Sequence, residues 1–206
     1  MNLRAYTADR PTLVAAAGLA GATVLSWIGL ARSGHAMGLA GYLIAWTLMM
    51  AAMMLPSIAP LVLLYRGQRL VLSVAYLLVW GALGVIPWFG MRMGFAPSVP
   101  LVLGAAGVYE LTPLKTACLR RCRTPVTFLI EHFGQGAFRI GVHHALWCVG
   151  CCVGLMAVLV LAASMHLAWA AAIAVVVFVQ KVLPNAEWSA RLTGGALIAW
   201  ALWLAI

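Results

Sequence analysis

The five cysteines of this sequence stand in two clusters. Cys118 and Cys122 occur in Cys-Leu-Arg-Arg-Cys, and Cys148, Cys151 and Cys152 occur in Cys-Val-Gly-Cys-Cys. On a helix, each of these spacings places the thiols along one face. Thiolates are soft ligands that favour Cu(I), zinc or iron–sulfur centres. Both clusters also lie next to the ends of apolar runs. Together they predict a soft-metal or redox site, although buried cysteines also pack as small hydrophobic side chains.

Two further ionisable residues accompany the cysteines. His144 lies one helical turn before Cys148 and extends the same stripe with an imidazole. Glu110 lies inside an apolar run, where a carboxylate is costly and is a functional candidate by default. We consider three roles for Glu110: a metal ligand, a proton carrier, or the partner of an arginine from the following loop.

Methionines provide a second group of candidate ligands. The segment Met-Met-Ala-Ala-Met-Met contains two pairs with a separation of four residues, Met49 with Met53 and Met50 with Met54. A thioether binds Cu(I) without carrying charge, so we expect these four residues to form a relay at mid-membrane depth. Methionine is also a common gap-filler in apolar helices. Further thioethers and imidazoles stand in the predicted outer loops: His35, Met37, Met91, Met93, Met165 and His166.

The composition indicates what must position these residues. Hydrophobic residues make up 65% of the chain and charged residues 8%, against about 45–50% and about 25% in soluble domains. Lipid must therefore solvate much of the chain, and we predict an all-α bundle of about seven transmembrane helices. The predicted spans are 12–30, 39–64, 70–90, 98–114, 141–163, 167–183 and 193–206.

The basic residues predict the orientation. If the N-terminus is cytoplasmic and the C-terminus is external, Arg32 and Arg92 are the only lysine or arginine residues on the outer side. This distribution follows the positive-inside rule. This orientation depends on a turn at Ser164–His166. The net charge of +9 is then accounted for by loops, which argues against nucleic-acid binding. We expect a single integral domain over 1–206, with 115–139 as a cytoplasmic loop, in a bacterial inner membrane.

Three stretches resemble a bacterial family of predicted metal-binding integral membrane proteins, some of which handle copper. They are Trp46 to Ser57, Tyr109 to Pro125, and Trp147 to Met156, which contains Gly150-Cys151-Cys152. The resemblance covers most of 40–190. It implies metal binding but no particular reaction.

The leading hypothesis is a protein that binds Cu(I) and transports it or delivers it to a copper enzyme. Its partners would be the bilayer and either a copper-dependent membrane enzyme or a soluble metal chaperone. Zinc is the rival metal, and would use the cysteines and His144 but not the methionines. The alternatives are a membrane thiol–disulfide oxidoreductase and an accessory or assembly subunit of a larger complex. The residues favour a binding protein over an enzyme.

Overall fold

A computed structural model describes residues 10–32, 38–161, 167–183 and 186–206. These residues form ten α-helices and no strand, which confirms the predicted all-α class. The helices are α1 (Arg10–Arg32), α2 (Leu39–Leu64), α3 (Arg69–Leu83), α4 (Val85–Arg92), α5 (Val99–Glu110), α6 (Pro113–Arg123), α7 (Pro125–Glu131), α8 (Ala137–Leu161), α9 (Leu167–Val182) and α10 (Ala186–Ala205).

Four helical segments are long and apolar enough to cross a membrane: Arg10–Ala31, Leu39–Leu64, Arg69–Arg92 and Ala137–Leu161. Two shorter helices, α5 and α9, are also apolar. Seven spans and the orientation of the termini stay predictions. The turn at Ser164–His166 lies outside the described residues, and so do His35, Met37 and Met165.

The chain divides into two compact units. The first contains the described residues up to 82 together with 125–143. Its core is the middle of α2, where an unbroken series of side chains from Met49 to Leu55 is buried. The indole N–H of Trp46 donates to the carbonyl oxygen of Trp80 at 2.8 Å, so a polar contact as well as apolar packing joins α2 to α3.

Arg69 links α1 to the end of α2 in this first unit. Its guanidinium donates to the carbonyl oxygens of Pro11, Leu63 and Tyr65, at 2.6, 3.2 and 2.8 Å. These acceptors belong to the start of α1 and the end of α2. The last carbonyl oxygens of a helix have no donor within the helix. At the end of α2, the Arg69 side chain supplies hydrogen bonds to two of them.

The second unit contains 83–124 and the described residues from 144 onward. In it α5 packs closely on α10, because Gly107 and Gly194 lie where the two helices meet. A Cβ at Gly107 would lie 2.8 Å from the carbonyl oxygen of Gly194 and 2.7 Å from Ile198. Small residues allow such close approach between membrane helices.

The predicted span 98–114 needs a correction. Its helix, α5, ends at Glu110, and α6 begins at Pro113. Thr112 caps α6 by accepting a hydrogen bond from the backbone N–H of Lys115 at 3.2 Å, and proline is well suited to the first helical position. Cys118 and Cys122 therefore lie on a new helix and not on a continuation of α5. Their four-residue spacing still places them on one face of α6.

Candidate metal centre

Three thiols from two helices converge in the second unit. Cys122 lies near the end of α6, and Cys148 and Cys151 lie one turn apart on α8. Their three Sγ atoms all lie within 4.8 Å of one another, and all three residues are buried. The convergence joins one member of the first sequence cluster to two members of the second.

The distances between sulfur atoms suit a metal ion. The Sγ atoms of Cys151 and Cys122 are 3.7 Å apart. Two thiolates bound to one zinc ion at about 2.3 Å in tetrahedral geometry would be about 3.8 Å apart. The helices thus hold the Cys122 and Cys151 sulfurs at a separation typical of ligands that share an ion, and thiolates are also the soft ligands that Cu(I) prefers.

The remaining cysteines flank this trio. The Sγ of Cys152 is 3.4 Å from that of Cys151. Cys118 is buried one turn before Cys122 and packs against Gly150, where a Cβ would lie 2.6 Å from the Cys118 sulfur. Gly150 therefore leaves the room that the Cys118 side chain occupies. His144 is buried one turn before Cys148 on the same helix.

A cation lies directly beside the thiols. The ammonium of Lys181, at the end of α9, donates to the Sγ of Cys148 at 2.8 Å. The main-chain carbonyl of Lys181 accepts a hydrogen bond of 3.0 Å from the Nε of Arg123, which lies one residue after Cys122. A positively charged side chain, with its backbone held by Arg123, thus borders a cluster of groups that become anions when they bind metal.

The thiols of α6 do not carry ready-made negative charge. Burial raises the pKa of the Cys118 thiol, and the nearby Lys115 charge offsets only part of that effect. Hydrogen bonding with Cys148 and burial hold the pKa of Cys122 well above its usual range. A metal ion must therefore displace protons from these thiols, so binding weakens as the pH falls.

Glu110 takes part in a buried polar network and not in the thiol trio. One carboxylate oxygen accepts from the Lys115 ammonium at 2.6 Å, and both side chains are fully buried. The amide of Gln180 donates to the other oxygen at 2.9 Å and accepts from Lys115 at 2.9 Å. Of the roles considered for Glu110, the contacts support pairing with a cation, and that cation is a lysine and not an arginine.

The four methionines of the predicted relay lie in the first unit. Met49, Met50, Met53 and Met54 are all buried on α2, with at most 3% of the residue surface exposed. Their burial agrees both with a relay and with ordinary core packing.

Sequence reasoning missed Lys181 and Gln180 as members of these sites. In the sequence Lys181 is one of several basic residues near the ends of apolar runs, and it has no regular spacing from any cysteine. The one available signal was the pair of polar residues at the end of an otherwise apolar helix. Such residues are costly in a membrane and therefore tend to have specific partners.

The chain matches a known protein family. Residues 43–204 match the PpoB2 family, which is described as copper chaperones. No match was found among curated proteins. None was found among solved structures. The matched region contains all five cysteines, the four methionines of α2 and Lys181. The resemblance to a family of metal-binding proteins is thereby confirmed, and the chain belongs to the PpoB2 family of copper chaperones.

Proposed function

We propose that this chain is an integral membrane protein that binds Cu(I) as cargo through Cys122, Cys148 and Cys151 and delivers it to a copper enzyme. The observation that carries this proposal is the convergence of three buried thiols from α6 and α8 to within 4.8 Å. Membership of a copper chaperone family supports copper as the ion.

The exposed surface supports insertion in a membrane. On α1, the side chains of Leu13, Val14 and Leu25 are 55%, 71% and 68% exposed. Long apolar helices with exposed leucine and valine are stable where lipid surrounds them. We propose seven spans in a bacterial inner membrane, with the N-terminus and the segment 115–139 on the cytoplasmic side and 1–206 as one integral domain.

The residues around the trio suggest how copper is held and released. Three thiolates would bind the ion, and Cys152, whose sulfur is 3.4 Å from Cys151, provides a further thiol for ligand exchange. Cys118 on α6 and His144 on α8 are additional candidate ligands outside the trio. Release requires that the thiols regain protons or that a receiving protein supplies competing sulfur ligands. A copper-dependent membrane enzyme or a soluble metal chaperone would be such a receiver.

Metal content tests the proposal directly. We would purify the wild type in detergent under reducing conditions, load it with Cu(I), and compare it with the Cys122→Ser/Cys148→Ser/Cys151→Ser variant. The expected result is near-stoichiometric copper in the wild type and loss of that copper in the variant. Equal copper in both proteins would overturn the proposed site. Zinc in place of copper, lost in the same variant, would overturn the choice of metal.

A thiol–disulfide oxidoreductase is the second candidate, because the Cys151 and Cys122 sulfurs are only 3.7 Å apart. Under this function a cysteine pair would change redox state in each cycle. The burial of both thiols disfavours exchange with a large protein substrate, since the attacking thiolate needs access. Trapping of a mixed disulfide between Cys122→Ser protein and a partner would favour this function over copper delivery.

A further inference from the structure

The contact between Lys181 and Cys148 is a hydrogen bond from a charged group, which apolar packing of the helices does not require. A lysine ammonium is strongly hydrated in water. A neutral thiol is a weak acceptor, whereas the thiolate that binds a metal is an anion that can offset the loss of hydration. Here the ammonium lies 2.8 Å from a fully buried sulfur that is one of the three converging thiols. One partner of this cation is therefore a sulfur of the candidate metal site.

Neighbouring contacts fix the backbone from which Lys181 extends. Arg123 donates to the carbonyl oxygens of Lys181 and Leu183, so the end of α6 is tied to the end of α9. The preceding residue, Gln180, binds both Glu110 and Lys115. The position of Lys181 is thus set by α6, the helix that also carries Cys122.

We infer that Lys181 is the counter-cation of the thiol trio and that it favours a monovalent over a divalent metal ion. The inference rests on the proposed function. A monovalent ion bound by three thiolates leaves two excess negative charges, whereas a divalent ion leaves one. The single positive charge of Lys181 interacts with this excess, so it stabilises the Cu(I)-loaded site more than a Zn(II)-loaded site with the same sulfurs.

The ratio of the two affinities isolates this effect. Both ions start from the same metal-free protein, so the state of the free thiols cancels when the Cu(I) and Zn(II) association constants are divided. The remaining difference is the attraction between the ammonium and one additional unit of negative charge a few ångströms away. Removal of Lys181 should therefore lower the Cu(I)/Zn(II) ratio by at least about tenfold.

The test uses the full chain in detergent under anaerobic, reducing conditions. All proteins carry Cys152→Ser, so that both ions meet the same three sulfurs. Cu(I) and Zn(II) affinities are measured by competition with chromophoric chelators in the parent and in Lys181→Leu, Lys181→Gln and Lys181→Arg. Leucine is used because a methionine thioether beside Cys148 could itself bind Cu(I). Arg191→Leu is the matched control, because it removes an exposed positive charge from α10 in the same unit. Circular dichroism checks that each variant retains the helix content of the parent.

Each outcome decides the inference. We expect the affinity ratio to fall in Lys181→Leu and Lys181→Gln and to be retained in Lys181→Arg and Arg191→Leu. The glutamine variant keeps an N–H donor, so a fall there assigns the effect to charge and not to the hydrogen bond. An unchanged ratio in a folded leucine or glutamine variant would overturn the inference while leaving the copper site intact. If the parent protein binds neither ion, the proposed function itself fails.

Discussion

The Sγ atoms of Cys122 and Cys151 lie 3.7 Å apart although the two residues belong to different helices, α6 and α8. A metal ion shared by these sulfurs would link the two helices in the folded state. Since a ligand that binds only the folded state stabilises it by mass action, copper should raise the stability of the second unit.

The first prediction follows from this link. Cu(I) added at about 100 times its dissociation constant should stabilise the wild type by about 2.7 kcal/mol. Cys122→Ser should lose most of this gain, because it removes the one ligand that α6 contributes to the trio. Thermal unfolding in detergent, with and without Cu(I) and under reducing conditions, measures both effects.

Cys118→Ser is the matched control for that experiment. Cys118 is a buried cysteine on the same face of the same helix, but its sulfur is not one of the three that converge. We expect it to retain most of the copper-induced stabilisation. If the two serine variants lost the gain equally, the ion would be bound along α6 and not across the two helices.

The second prediction concerns the buried pair of Glu110 and Lys115. Lys115→Met leaves the carboxylate of Glu110 without its cation in a site from which water is excluded, which should destabilise the protein by about 3–5 kcal/mol. The double variant Glu110→Leu/Lys115→Met removes both charges and should recover much of this loss. The measurement is the free energy of unfolding in detergent for Lys115→Met, Glu110→Leu and the double variant.

The exposed pair of Arg120 and Glu187 serves as the comparison. Its ion pair has the same 2.6 Å separation, but the side chains are 71% and 42% exposed. Glu187→Gln should change the free energy of unfolding by less than about 1 kcal/mol. A large effect there, or a small one in Lys115→Met, would show that burial does not govern the strength of these two contacts.

The third prediction concerns the contact of α5 with α10. Gly107→Ala should separate the two helices, because the added Cβ would meet Gly194 O at 2.8 Å and Ile198 at 2.7 Å. We expect a loss of about 1–3 kcal/mol of stability, typical of overpacking. Gly195→Ala is the control, since nothing lies within 4 Å of its added Cβ and alanine favours a helix. Equal melting temperatures for the two variants would contradict the close packing.

Hydropathy identified most of the described helices because they coincide with long apolar runs, and α2 begins and ends where the sequence predicts. It missed the start of α10, because the polar residues Glu187 and Arg191 continue that helix beyond its apolar part. Spacing along α8 identified the face that carries Cys148 and Cys151. It could not show that Cys122, and not Cys118, joins them, since that depends on how α6 packs in three dimensions. The contact of Lys181 with Cys148 could not be predicted for the same reason.

The fourth prediction tests the methionine relay of α2. The variant in which Met49, Met50, Met53 and Met54 are all leucine keeps the apolar character and nearly the volume of the core, so each change should cost less than about 1.5 kcal/mol. Loss of the thioethers should slow the uptake of Cu(I) by proteoliposomes. It should not change the Cu(I) affinity measured in detergent, because the thiols of α6 and α8 remain. Wild-type uptake rates in this variant would assign the four methionines to core packing, and reduced affinity in detergent would place at least one thioether among the ligands of the stable copper site.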